Sequence, residues 1–271
     1  MRRRSVFALA LALVTAVSFT MGAPSASAAE QWVPVAVWQM NEPAGSTRLV
    51  DSSGNGVTAP IGTAVGIGVR DGTSTVHRFS YISTTAPAAP SARLHVVPDR
   101  ASLDPGTQGF AVEVRFRTHA GNRNIMQKGQ SGTTGGFWKI EISGGVATCV
   151  FRGSKGSVGM KSTSSVEDSK WHVVRCVRLA AGGAELYLDG VRQARTSTVS
   201  GLIDNKIELA IGGKSRCNNT TVSCDYFHGD IDYARIDRLQ STAGTSAAPV
   251  TAPITTAPTT APTTTAPTTA A

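Results

Sequence analysis

The 271-residue sequence lacks several features that would point to common protein classes. Beyond the first 28 residues no segment shows the 3.6-residue apolar period of an amphipathic helix, which argues against an α-helical fold. There is no Gly-x-Ser-x-Gly elbow and no Cys-x-x-Cys pair, so a common hydrolase nucleophile and a common zinc pattern are both missing. Basic residues are scattered along the chain, and without a basic patch we expect no nucleic-acid partner.

The N-terminal apolar run is too short to cross a bilayer, which takes about 20 residues. It extends from Val6 to Val17, follows three arginines and precedes Ala26-Ser27-Ala28, a small-residue pattern that signal peptidase accepts. We therefore predict a secretory signal peptide at residues 1–28 and a secreted, extracellular protein without a membrane span. Without that segment 23 basic and 18 acidic residues remain, a modest net charge of +5.

The last 31 residues, 241–271, lack charged and aromatic residues altogether and consist almost wholly of Thr, Ala, Pro and Ser. Such a segment cannot bury enough apolar surface to offset its chain entropy, so we predict a disordered, extended tether. Residues 29–240 are then enough for one folded domain with a core of its own.

Short strand-like runs separated by glycine-rich turns fill that domain. Between Ala111 and Thr118, Val112, Val114 and Phe116 alternate with charged residues, as expected for a half-buried antiparallel strand. In AELYLDGVRQAR, residues 184–195, the Asp189-Gly190 pair predicts a two-residue hairpin turn that pairs Leu188 with Val191, Tyr187 with Arg192 and Leu186 with Gln193. The pattern predicts an all-β sandwich or barrel.

The domain contains four cysteines, and an even count in an exported protein favours disulfides. Three connectivities are possible, and we favour Cys149–Cys176, which would tie two strands, with Cys217–Cys224, which would close a short loop. A zinc site is the alternative.

Four segments together resemble laminin G-like, or concanavalin A-like, jelly-roll domains. In chain order they are VAVWQMNEPAGSTRLVDSSGNG, GFAVEVRFRT, KWHVVRCVRLAAGGAELYLDGV and YFHGDIDYARI. They cover about residues 33–237, and the cysteines, signal peptide and Thr/Pro tail resemble secreted actinobacterial versions. The resemblance implies an antiparallel two-sheet jelly-roll sandwich, one sheet concave, that binds a glycan or a protein.

Many relatives carry calcium, and the resemblance implies Asp51 and Asp232 as ligands of a structural Ca²⁺, with Glu42 as a further candidate. The first and last strands can be neighbours in a jelly roll, which would bring these oxygens together. The alternative is that Asp51 only caps the Ser-Ser-Gly turn that follows it.

Some relatives are glycoside hydrolases with a Glu-x-Asp-x-x-Glu motif, which this sequence lacks. Asp230 and Asp232 share a strand face by spacing, yet they lie in the segment that matches the closing strand, where an Asp is usually structural. We therefore assign no catalytic residue and predict a protein that is not an enzyme. A small hydrolase on the same fold is the first alternative.

A glycan site needs an exposed aromatic ring with polar neighbours. Trp38, Trp171 and Phe116 lie on core-patterned strands and are expected to be buried. The candidates beside loops are therefore Trp138, Tyr226 and Phe227. We predict a binding module for carbohydrate or a cell-surface protein, with a protein-binding adhesion domain as the second alternative and the oligomeric state left open.

Overall fold

The computed structural model describes residues 31–81, 90–216 and 225–240. The predicted signal peptide, the Thr/Pro-rich tail and the Cys217–Cys224 bridge lie outside these residues. The strands of the described chain are β1 (Gln31–Trp38), β2 (Arg48–Leu49), β3 (Ala59–Pro60), β4 (Gly66–Asp71), β5 (Ser74–Phe79), β6 (His95–Val97), β7 (Phe110–Arg117), β8 (Arg123–Lys128), β9 (Phe137–Ser143), β10 (Val146–Gly153), β11 (Gly156–Ser165), β12 (His172–Arg178), β13 (Ala184–Leu188), β14 (Val191–Thr196), β15 (Leu209–Ile211) and β16 (Gly229–Gln240). Two single 3₁₀ turns also occur in the described chain, at Pro90–Arg93 and Ala101–Leu103.

The described strands form an antiparallel sandwich, which confirms the predicted fold class. The larger sheet has eight strands in the order β14-β13-β12-β7-β16-β5-β4, with β1 also pairing with β16. The smaller has six in the order β11-β10-β9-β8-β15-β6, and β2 pairs with β3 in a separate ribbon. The alternation on β7 is as predicted, because Val112, Val114 and Phe116 are fully buried while the residues between them stay partly exposed.

The apolar core fills the space between the two sheets. Trp38 and Trp138 are both fully buried, and their indole N–H groups donate to the carbonyl oxygens of Val57 (2.7 Å) and Leu103 (3.0 Å). Cys149 on β10 and Cys176 on β12 form the predicted disulfide, with 5.8 Å between their Cα atoms. Because β10 and β12 belong to different sheets, the bond ties the two layers of the sandwich together.

The β13–β14 hairpin has the predicted turn, with φ of 51° at Asp189 and 79° at Gly190, as a type I′ turn requires. Leu188 pairs with Val191 and Tyr187 with Arg192. The predicted pairing of Leu186 with Gln193 is wrong, because a register irregularity after Leu186 places it opposite Ala194.

Buried polar groups explain why β8 carries no recognisable strand pattern. Lys128 is fully buried, and its ammonium group lies 2.7 Å from an oxygen of Asp99 and 3.0 Å from one of Asp104. It also donates to the carbonyl oxygen of Asn205 at 2.9 Å. A lysine at a core position is tolerated here because its charge is paired and hydrogen-bonded.

The polypeptide enters and leaves the sandwich side by side. β1 runs antiparallel to β16, with Gln31 opposite Gln240 and Trp38 opposite Ala234. On its other edge β16 pairs with β7. The first and last strands therefore both belong to the larger sheet.

Candidate ligand-binding groove

The outer face of the eight-stranded sheet is rich in charged and aromatic side chains. Inward positions on β7 and β12 belong to the core, so Glu113, Arg115, Arg175 and their neighbours point the other way by simple alternation. Trp171 lies just before β12 and, two residues ahead of Val173, faces the same outer side of the sheet. The prediction that Trp171 is buried in the core is therefore wrong.

Trp171 is instead held on the outer face by charged neighbours. The guanidinium carbons of Arg115 and Arg117 lie 4.4 and 4.8 Å from its ring centroid, within cation–π range. Its indole N–H donates to Asp71 at 2.9 Å. These contacts fix the orientation of the partly buried Trp171 ring on the outer face.

A groove of about 440 Å³ lies farther along the same face, centred on β12. Trp32 on β1 lines one side and Tyr187 on β13 lines the other, and both are half-buried. Val173 and Val177 contribute apolar surface between them. Aromatic and apolar walls with a few convergent polar groups are typical of small-ligand sites.

The polar groups that line the groove are held by hydrogen bonds to each other and to two residues of β16. Arg175 Nη1 donates to Glu113 Oε2 (3.0 Å) and to Asp237 Oδ2 (2.8 Å), and the Tyr233 hydroxyl donates to Glu113 Oε1 (2.8 Å). Burial first, and the bond to Glu113 second, raise the pKa of Tyr233, so its hydroxyl stays protonated and remains a donor. The Arg175 guanidinium also lies 5.6 Å from the Trp32 ring centroid.

Hydrogen bonds also fix the wall of the groove that Tyr187 forms. The Tyr187 hydroxyl donates to Glu185 Oε2 at 2.6 Å, and Arg192 donates to Glu185 Oε1 at 3.2 Å. The bond to Glu185, with burial second, raises the pKa of Tyr187 and keeps the phenol neutral. The groove thus presents two aromatic rings, one guanidinium and two carboxylates in a preset arrangement, which suits a ligand with both apolar faces and hydroxyl groups.

The predicted glycan-contacting aromatic residues lie elsewhere. Trp138, Tyr226 and Phe227 are buried, with at most 3% of any side chain exposed, so the prediction of exposed ring faces is wrong for all three. Trp138 lies on an inward position of β9, and Phe227 packs edge-on against Phe79 and Phe116 in the core. The sequence placed them beside loops, but in the structure all three side chains are buried in the packed interior.

Asp51 is a turn residue in the structure. Its two carboxylate oxygens accept the backbone N–H groups of Val37, Ser53 and Val57, each at 2.9 Å, and the Ser53 hydroxyl at 2.9 Å. Burial would raise the pKa of Asp51, but these bonds outweigh it and hold the pKa below its usual value. Four donors leave little capacity for a cation, and the Asx-turn alternative describes this geometry.

The other two predicted calcium ligands have partners of their own. Glu42 accepts the Val50 N–H at 2.7 Å and lies 3.0 Å from His77, while Asp232 pairs with Arg115 at 2.7 Å. Among the described residues, no three His, Cys, Asp or Glu side chains are grouped so that they could hold a metal ion. The residues named for calcium therefore do not fit a shared Ca²⁺ site.

Asp230 and Asp232, the pair weighed for hydrolysis, are held by arginines. Asp230 accepts from Arg78 (2.8 Å) and Arg117 (2.7 Å). Burial would raise the pKa of Asp230, but the hydrogen bonds from the two arginines lower it overall, so the group stays ionised at neutral pH. An ionised Asp230 does not supply the protonated acid that glycoside hydrolysis requires.

Comparison with known proteins assigns the fold to a class and then to a superfamily. The antiparallel two-sheet sandwich is that of jelly-roll binding domains. A laminin G-type family profile, described as the concanavalin A-like lectin/glucanases superfamily, matches residues 89–242. The chain belongs to this superfamily. No curated protein sequence matches it significantly.

Solved structures share the fold at low sequence identity. The binding domain of Paraclostridial Mosquitocidal Protein 1 matches with a TM-score of 0.54 and 14% identity over 76% of this chain and 48% of that one. A botulinum neurotoxin type C structure, from work on its interaction with two ganglioside molecules, matches with a TM-score of 0.52 and 12% identity over 76% and 47%. The chain therefore spans about half the length of these toxin structures.

A third structure is matched over nearly its whole length. Domain 4 of AbnA, an extracellular arabinanase from Geobacillus stearothermophilus solved with arabinotriose, has a TM-score of 0.51 and 14% identity, covering 78% of this chain and 96% of that domain. At these identities the matches establish the fold. Within the described part of the chain, no helix has the length and apolar character to span a bilayer.

Proposed function

We propose that this protein is an exported, non-catalytic module that binds a carbohydrate in the groove on the outer face of the eight-stranded sheet. The observation that carries the proposal is the pair of half-buried rings, Trp32 and Tyr187, on either side of the hydrogen-bonded Arg175 and Glu113. A sugar has apolar C–H faces that pack on such rings and hydroxyl groups that bond to fixed donors and acceptors.

Two further observations support the proposal. The arabinanase domain of matching fold was solved with an oligosaccharide, and this chain covers nearly all of that domain. The Cys149–Cys176 disulfide is typical of proteins that function outside the reducing cytosol, in line with export.

The first test is a glycan array probed with the folded protein, followed by calorimetry on the best hit. Trp32→Ala and Tyr187→Ala should each weaken binding roughly tenfold or more, because buried aromatic contacts carry much of the free energy of such interfaces. The matched control is Tyr81→Ala, which removes an exposed aromatic ring outside the groove and should leave the affinity for a neutral glycan unchanged.

Three outcomes would contradict the proposal. Binding that survives both groove substitutions would move the site away from the groove. Release of shorter saccharides from the bound glycan would make the protein an enzyme. A blank array together with specific capture of a cell-envelope protein would favour the protein-binding alternative.

A further inference from the structure

A second cavity, the end pocket, lies where β5 and β7 end and β16 begins, and has a volume of about 490 Å³. The side chains that matter for its chemistry are Arg78, Tyr81, Arg117, His119, His228 and Asp230. It shares no lining residue with the groove. Its binding chemistry is therefore independent of the groove and of the function proposed for it.

Asp230 fixes two guanidinium groups at the mouth of the end pocket. Arg117 is fully engaged, because it bonds Asp230 through Nε and Nη2 and also lies 2.9 Å from Asp71. Arg78 bonds Asp230 through Nε and Nη2 at 2.8 and 3.1 Å, and its side chain remains 49% exposed. Arg78 Nη1 makes no hydrogen bond among the described residues, so a fixed cationic donor faces solvent.

Aromatic rings lie beside this donor. Tyr81 is 59% exposed, which is unusual for a large ring, and its centroid lies 5.3 Å from that of His228. His119 packs edge-on against His228 with 4.6 Å between centroids. The Tyr81 ring thus contacts His228 and still exposes more than half of its surface, on which a ligand can pack.

His228 adds an unused polar atom. Its Nδ1 is buried and has no hydrogen-bond partner in the described structure, which is uncommon for a buried group. Burial, followed by the charges of His119 and Arg123, lowers the pKa of His228, although Asp230 opposes the shift. The neutral His228 ring therefore adds no positive charge to the pocket, and it packs against the Tyr81 ring.

The close approach of β16 to β7 depends on Gly229. Its φ of 147° lies in a region that side-chain-bearing residues rarely adopt, and a Cβ there would collide with the carbonyl oxygen of Arg117. A larger residue would push apart the two strand ends that line the pocket.

We propose that the end pocket binds a carboxylate-bearing sugar of the uronic acid type. The ligand carboxylate bonds the exposed edge of the Arg78 guanidinium, and the sugar ring packs on Tyr81. Arginine recognises carboxylates through paired, charge-assisted hydrogen bonds, and the single acidic residue in the lining is already neutralised by its two arginines.

The test is NMR titration of the full chain with D-glucuronate, with D-glucose and acetate as matched probes. Glucuronate should shift the resonances of Tyr81 and His228 and bind about tenfold or more tightly than either D-glucose, which lacks the carboxylate, or acetate, which lacks the ring. Arg78→Gln and Tyr81→Ala should each weaken glucuronate binding by a similar factor. Arg78→Gln should still fold, because Asp230 keeps Arg117.

Arg70→Gln, an exposed arginine outside the end pocket, is the control for Arg78→Gln and should change nothing. Tyr187→Ala should leave glucuronate binding intact, so failure of the groove proposal and failure of this one can be told apart. The proposal is overturned if acetate or a short polyglutamate peptide binds as well as glucuronate, or if Arg78→Gln binds like the unmodified protein.

Discussion

At the scale of single residues, His95 is a titratable group held in the interior by a second histidine and a carboxylate. It is fully buried, with Nε2 2.9 Å from Nδ1 of His77, while Nε2 of His77 lies 3.0 Å from Glu42. Burial first, and the neighbouring His77 second, lower the pKa of His95 to about 3. The folded protein therefore keeps this imidazole neutral well into the acid range.

The free energy of unfolding should fall as the pH drops from about 6.5 toward 5. In this range the unfolded chain protonates His95, whose ordinary pKa is 6.5, while the folded state does not. One such proton corresponds to a slope of up to about 1.4 kcal/mol per pH unit. Glu42, whose pKa is held below 4.5 in the fold, contributes only at lower pH.

Urea unfolding at several pH values measures this slope. His95→Phe should flatten it, because the unfolded variant no longer takes up that proton. An unchanged slope in His95→Phe would show that other groups govern acid stability.

The residues of the candidate groove were only partly predictable from the sequence. Alternation in LYLDG put Tyr187 on the face opposite Leu186 and Leu188, which is correct, but alternation does not say which outward face binds a ligand. Trp32 lies on β1, and its place across the groove from Tyr187 depends on the order of strands in the sheet. Long-range packing of this kind leaves no local signal.

At the scale of elements, the β13–β14 hairpin depends on its two turn residues in different ways. Asp189→Asn should change stability by less than about 1 kcal/mol, because Asn tolerates positive φ and can still accept the Val173 N–H. The contact with His172 involves an Asp189 side chain that is 48% exposed, so its loss should cost little. Gly190→Val should cost about 1–3 kcal/mol, because a β-branched residue at φ 79° is strained.

Urea unfolding compares these variants with Gly159→Val. Gly159 lies on β11 with ordinary backbone geometry and open space around its Cα, so valine is expected to be tolerated there. Equal stability of the two valine variants would contradict the turn assignment.

Strand prediction succeeded where one face is apolar and the other polar, as on β7 and β13. β8 and β11 lack a clear run of alternating apolar and polar residues, for different physical reasons. β8 buries Asn124, Gln127 and Lys128 among polar partners, so its core positions do not look apolar. The edge strand β11 is built largely of Gly, Ser and Thr, whose strand propensity is weak or depends on pairing.

At the scale of the whole molecule, the Cys149–Cys176 bond joins the two sheets across a sequence separation of 27 residues. A bond that closes a loop of this size reduces the conformational entropy of the unfolded chain. We therefore expect the double variant Cys149→Ala, Cys176→Ala to have a free energy of unfolding lower by about 3.5 kcal/mol. Reduction of the unmodified protein with dithiothreitol should produce a similar loss.

Affinity for the groove ligand should change little while the double variant remains folded, because Cys176 faces the core and the groove is on the other side of β12. Loss of binding by a folded double variant would show that the disulfide also maintains the shape of the groove. Stability equal to that of the oxidised protein would show that packing alone holds the layers.

The adjacent entry and exit of the chain have a mechanical consequence. A force applied to the two ends acts on the Gln31–Gln240 end of the β1–β16 ladder, so its hydrogen bonds are loaded one after another, as in unzipping, and not all together in shear. Trp32 sits on the second rung, and peeling of β1 removes this wall of the groove early. The disulfide lies outside this ladder, on β10 and β12, so tension would disturb the groove before it reaches the strands that the bond holds together.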